Sequence, residues 1–239
     1  MIVVFANEHD QKARWLVRRW RDRGALLMVP SDLSRAGWRC TSSAPAHSEF
    51  VIGGVTRCAS EIDGVLIRWP AVVPADLPYI AASDRNYVAA EMNAFLVYWL
   101  TASGRRVLNR PTPRSLCGPG WYPEHWVRHA SQAGLRVRTL QRSLTLASAG
   151  RFGWPVYDGL WVDVIVAGPA CYGSATPELA RKACALAAAA GVELVKFRFD
   201  GSGEDACFLE ADVCPNLEDE LVEQAVYSYL ETGLWPAGA

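Results

Sequence analysis

At 239 residues, 51% hydrophobic and 21% charged, the chain is long enough to bury a sizeable core and has an ordinary globular composition. A formal net charge of −1 gives no global attraction to nucleic acid or to an anionic membrane. No apolar run is as long as a membrane span, and the opening MIVVFA lacks a signal peptide's basic head, so a cytoplasmic protein is expected, with neither nucleic acid nor membrane as partner. Seven cysteines without a CxxC pair predict reduced thiols rather than a zinc site or a disulfide framework. Lysine occurs only at Lys12, Lys182 and Lys196, so the basic charge is almost wholly arginine.

Met1–Ala6 is a short continuous apolar run, as expected for a buried strand. Asn7 or Asp10 can cap a helix over 11–23, Gly24 can end it, and Ala25–Val29 reads as a second strand. This β-α-β opening predicts a Rossmann-like layer, but FANEHDQ is not a GxGxxG loop and gives no dinucleotide site. EFVI and VTRC around Gly53-Gly54 predict a hairpin, and GVLIRW, stopped by Pro70, a further buried strand. The apolar spacing over Asp84–Ser103 predicts a helix closed by Gly104, followed by a strand at Arg106–Asn109.

A helix over 119–133 carries Glu124, His125 and His129. Two histidines at i and i+4 have metal-ligand spacing, but the glutamate precedes the first, so this is not HExxH, and with no second ligand group nearby an ordinary polar helix face is the expected reading. LRVRTL alternates as a half-exposed strand, and Gln141–Gly159 is the least regular stretch, where a boundary between lobes can fall. WVDVIVA predicts a strand with Asp163 on one face, and Thr176 with Pro177 opens a helix to Ala190. Two strand-like runs then flank Asp200-Gly201-Ser202-Gly203, and the second delivers Glu210 and Asp212 to one face. Paired carboxylates there can hold a hard cation such as Mg²⁺, or can be a solvated edge. A last helix over 218–232 follows, with Asn216 and Asp219 resembling a capping pair.

Several of these stretches resemble the ATP-grasp superfamily. DRNYVAAEMNAFLVYWL followed by RRVLNRP is similar to the end of that family's first lobe, and WYPEHWVRHASQAGLRV to the helix that opens its nucleotide-binding part. Asp163–Gly168, the 177–190 helix, FRFDG and FLEADVCPNL resemble its C-terminal end. The resemblance implies an α/β protein with a Rossmann-like N-terminal lobe, 1–112, and a truncated ATP-grasp-like α+β lobe, 113–239. It also implies carboxylate–amine ligation through an acyl phosphate, with an ExN motif holding the Mg²⁺ of ATP. Here Asp212 stands at the asparagine of that motif, and Arg198 about where another metal-binding acid belongs, able to pair with Glu210 instead. The two lysines that grip the nucleotide phosphates in the family have no counterpart, since 141–159 contains no lysine.

Three readings follow. In the first, the chain keeps the framework without autonomous ATP chemistry and serves as a binding or accessory subunit in peptide modification or natural-product biosynthesis. Its partner would be a peptide, a carrier or a partner enzyme, with self-association open. Exposed tryptophans in 119–126 and 154–161 would suit a partner surface. In the second, it is an ATP- and Mg²⁺-dependent carboxylate–amine ligase, with Glu210 and Asp212 on the metal and Arg138 or Arg142 facing phosphates, its site remodelled or completed by another chain. In the third, a non-ATP enzyme uses His125, His129, Glu210 or a free cysteine. No catalytic residue is assigned.

Overall fold

The computed structural model describes residues 1–41, 43–102, 106–138, 157 and 159–236. The first strand, β1 (Ile2–Phe5), is buried at all four positions, as an inner strand of a parallel sheet must be. Asp10 caps α1 (Gln11–Arg19), its carboxylate accepting from the backbone N–H groups of Lys12 and Ala13. The helix ends four residues short of the expectation. Trp20 leaves the helical conformation with its indole buried, and a 3-10 turn over Arg21–Arg23 closes on left-handed Gly24. Next come β2 (Leu26–Met28), the hairpin β3 (Glu49–Ile52) and β4 (Val55–Cys58), and β5 (Gly64–Ile67). The buried Asp32 carboxylate accepts from the N–H groups of Gly53 and Gly54 at 2.9 and 3.0 Å and so pins that hairpin turn, where both glycines have positive φ.

The long helix α2 (Arg85–Ala102) leads to β6 (Arg106–Leu108). The resulting sheet has the order β2-β1-β5-β6, parallel throughout, which is the expected Rossmann-like layer.

The second unit holds α3 (Pro123–Gln132), β7 (Arg136–Val137), β8 (Val162–Ala167), β9 (Ala170–Tyr172), α4 (Pro177–Ala190), β10 (Leu194–Phe199) and β11 (Cys207–Asp212). Its five-stranded sheet runs β7-β11-β10-β8-β9, mostly antiparallel with β7 parallel to β11. Leu179, Ala183 and Leu186 of α4 and Trp126 of α3 share one core with Val164, Val166, Phe197, Phe199 and Phe208. The final helix, α5 (Glu220–Thr232), is capped by Asp219 and packs on β5 and β6. Contacts thus divide the chain into Met1–Pro119 with Asn216–Pro236, and Gly120–Pro215. The sequence reading, with lobes at 1–112 and 113–239, does not make that grouping. Among the described residues, no helix is long and apolar enough to cross a membrane.

Candidate functional site

The two expected metal ligands lie on β11, and the geometry of the β10–β11 pair decides what surrounds them. Strict alternation along Phe208–Asp212 would send Phe208 to the same face as Glu210 and Asp212. The structure avoids this with a bulge. Arg198 pairs with Glu210, but the next pair is Phe199 with Phe208, so Leu209 is the extra residue. Phe208 and Ala211 therefore enter the core, while Glu210 and Asp212 stay half-exposed on the other face.

On that face β8, β10 and β11 build a ladder of charges. Arg198 lies opposite Asp163 on one side and Glu210 on the other. Its Nε and Nη2 donate to the two Asp163 oxygens at 2.9 and 3.3 Å, and its Nη1 donates to Glu210 at 3.0 Å. Hydrogen bonding to Asp163 holds the guanidinium pKa above its ordinary value. Lys196, two residues earlier and on the same face, sits 3.7 Å from Asp163 and 3.8 Å from Asp212. The Trp161 ring covers Arg198, its centroid 4.7 Å from the guanidinium carbon. Three carboxylates are thus interleaved with two cations, and each carboxylate already has a positive partner.

Arg138 lies beyond the end of β7, not among these groups. Its Nη2 donates to Asp200 at 3.0 Å and its guanidinium covers the Tyr157 ring at 4.5 Å. The other Asp200 oxygen accepts from the Cys207 N–H at 2.7 Å, fastening the reversal between β10 and β11. Arg142, the other expected phosphate ligand, lies outside the described residues.

The histidines of α3 belong to an aromatic patch. His129 stacks on Trp121 with centroids 4.4 Å apart, and His125 lies beside Tyr122. Trp126, expected at an exposed surface, is buried against Phe197; Trp161 is exposed as expected, and Trp154 lies outside the described residues. Among the described residues, no group of three or more His, Cys, Asp or Glu side chains is arranged to hold a metal ion. Asp163, Lys196 and Trp161 are site members that the sequence reading did not join. The signal for Lys196 was available in its i−2 spacing from Arg198.

The first unit has its own hollows. A mainly apolar cleft of about 640 Å³ opens between α2 and the 112–116 turn, with Tyr98 and Arg114 in its lining. Asn93 in its wall is occupied by the backbone of Val72 and Ala89. A smaller hollow of about 330 Å³, lined by Asn7, His9 and Asp76 among others, lies past the ends of β1 and β2.

No protein-family model matches the sequence, and no curated protein matches it. Solved structures do. The macrocyclase MdnB from Microcystis aeruginosa MRC matches with a TM-score of 0.62 at 15% identity, over 97% of this chain and 99% of that one. MdnC from the same organism, bound with the precursor peptide MdnA, matches with a TM-score of 0.68 at 9% identity, over 98% and 100%. A Chryseobacterium gregarium RiPP-associated ATP-grasp ligase, in complex with ADP and a leader and core peptide, matches at 0.58 and 10% identity, over 95% and 91%. At such identities these likenesses establish the fold.

Proposed function

We propose that this chain, which has an ATP-grasp-like fold, is a peptide-binding accessory protein of peptide modification and carries out no ATP-dependent ligation by itself. The observation that carries the reading is the charge ladder. A nucleotide-bound Mg²⁺ in this fold family would draw on acids of β10 and β11. Here Glu210 accepts from a guanidinium fixed by Asp163, and Asp212 faces an ammonium. A dication entering there would meet two positive charges and would compete with Arg198 for Glu210 and with Lys196 for Asp212. The donor set therefore does not fit the metal. Arg138, spent on Asp200 and Tyr157, offers little to a phosphate.

Two observations support the peptide side. The structures it resembles include proteins bound with precursor peptides. The cleft between α2 and the 112–116 turn supplies apolar walls where a peptide side chain fits, with Arg114 in its lining for a carboxylate.

The test uses fluorescently labelled short peptides encoded beside this chain's gene, followed by anisotropy without nucleotide and then by ADP release with Mg²⁺ and ATP. Saturable binding without nucleotide, and no ADP release above background, is the expected result. Absence of peptide binding contradicts the accessory role. ADP release that rises with peptide establishes the alternative, an ATP- and Mg²⁺-dependent ligase, which the full-length match to ligases favours.

A further inference from the structure

The basic charge of the chain is unevenly spread. Residues 11–23 hold six of its 24 lysines and arginines and a single acid, Asp22. Ala13 and Leu16 turn one side of α1 inward, so Arg14, Trp15, Arg18 and Arg19 lie together on its outer side, and all four are exposed. Arg19 is engaged by α5: it pairs with Glu220 at 2.6 Å and with Glu223 at 3.2 Å, and its guanidinium carbon lies 5.9 Å from the centre of the Trp15 ring. Arg23 covers the Tyr227 ring at 4.4 Å. Arg14, Arg18 and, in the following turn, Arg21 have no acidic partner among the described residues.

We propose that the outer side of α1 docks an acidic polypeptide segment of a partner protein, with Trp15 as the apolar anchor and Arg14, Arg18 and Arg21 receiving carboxylates. Tryptophan and arginine dominate interface energetics, and this tryptophan is already steadied by Arg19, itself fixed to α5. Planar guanidinium groups take carboxylates through two parallel hydrogen bonds. Four residues of helix separate Arg14 from Arg18 by about 6 Å along the axis. Alternate side chains of an extended strand are roughly 6.7 Å apart. A segment with an acid at every second position therefore reaches both arginines and leaves an apolar side chain for Trp15. Nucleic acid fits less well. Glu220 and Glu223 border the arginines and the formal net charge is −1, so a polyphosphate passing α1 meets repulsion on either side of the contact. The surface shares no residue with the cleft beside α2.

The test titrates the intact chain into a fluorescently labelled peptide with glutamate at every second position around one leucine, and reads anisotropy at low and at physiological salt. The expected result is saturable binding that weakens with salt and falls about ten-fold in the double variant Arg14→Ser, Arg18→Ser. Trp15→Ala should weaken binding with its salt dependence kept. The double variant Arg110→Ser, Arg128→Ser, which removes the same charge from exposed positions elsewhere, should bind as the parent does. A thermal melt of each variant confirms that it is folded. Labelled oligothymidylate and phosphatidylserine vesicles are titrated in parallel. Absence of peptide binding, equal losses in the two double variants, an unchanged affinity in Trp15→Ala, or tighter binding to the oligonucleotide or the vesicles would overturn the proposal.

Discussion

Arg198 ties the charge ladder together, because one guanidinium bridges Asp163 and Glu210 across three strands. Arg198→Ala leaves Asp163 to Lys196 alone and takes from Glu210 its cation, and should destabilise the second unit by about 1–2 kcal/mol, less than the ~3–5 of a fully buried pair because the site is part-exposed. Urea denaturation reads this directly, and an unchanged midpoint would show that the ladder adds nothing to stability. Asp10 makes a pH-dependent contribution in the first unit. Burial raises its pKa, but the Ala13 and Lys12 N–H groups and Arg68 outweigh that and hold it below the usual aspartate value. Its stabilisation is therefore complete above the unfolded aspartate pKa and is lost as pH falls through the folded one. Asp10→Asn should flatten the stability–pH curve on the acid side, below about pH 4. A variant whose acid limb matches the parent's would refute the assignment. At this scale the sequence was partly legible: it paired Arg198 with Glu210 but could not bring in Asp163, whose register partner is set by strands 35 residues apart. The bulge at Leu209 was invisible for the same reason, since it resolves a conflict between Phe208 and Glu210 that exists only once β10 is alongside.

Elements were read more easily than their neighbours. The apolar runs of β1, β5, β8 and β10 and the capped helices α4 and α5 follow from local pattern; the cap Thr176 is where the sequence puts it, whereas α5 starts at Glu220 on Asp219 rather than at 218. Strand β9 escaped notice because three residues after Gly168-Pro169 are too few to show a period, and its pairing with β8 defines it. The packing of α5 on β5 and β6 is likewise non-local. Gly64 is the contact that permits it: a Cβ there would run into the Leu230 carbonyl oxygen of α5. Gly64→Ala should cost about 1–3 kcal/mol, a typical overpacking penalty, and lower the melting temperature of the chain. Wild-type stability in this variant would mean that α5 is not seated on β5 in this way. Thr176→Ala, which removes the hydroxyl that accepts from Leu179 N–H, should cost about 1 kcal/mol.

For the whole molecule, the order of motifs along the chain sufficed to suggest the fold, and the structural matches extend over nearly its full length. The candidate site is less legible because its charges meet only in the folded sheet. In the five-membered ladder all three acids stand in ion pairs, and the two cations that hold them are Lys196 and Arg198. The most direct measurement is isothermal titration of the intact chain with Mg²⁺ and the non-hydrolysable ATP analogue AMPPNP. The account predicts no saturable heat. One-to-one, Mg²⁺-dependent binding that disappears in Glu210→Ala would contradict it.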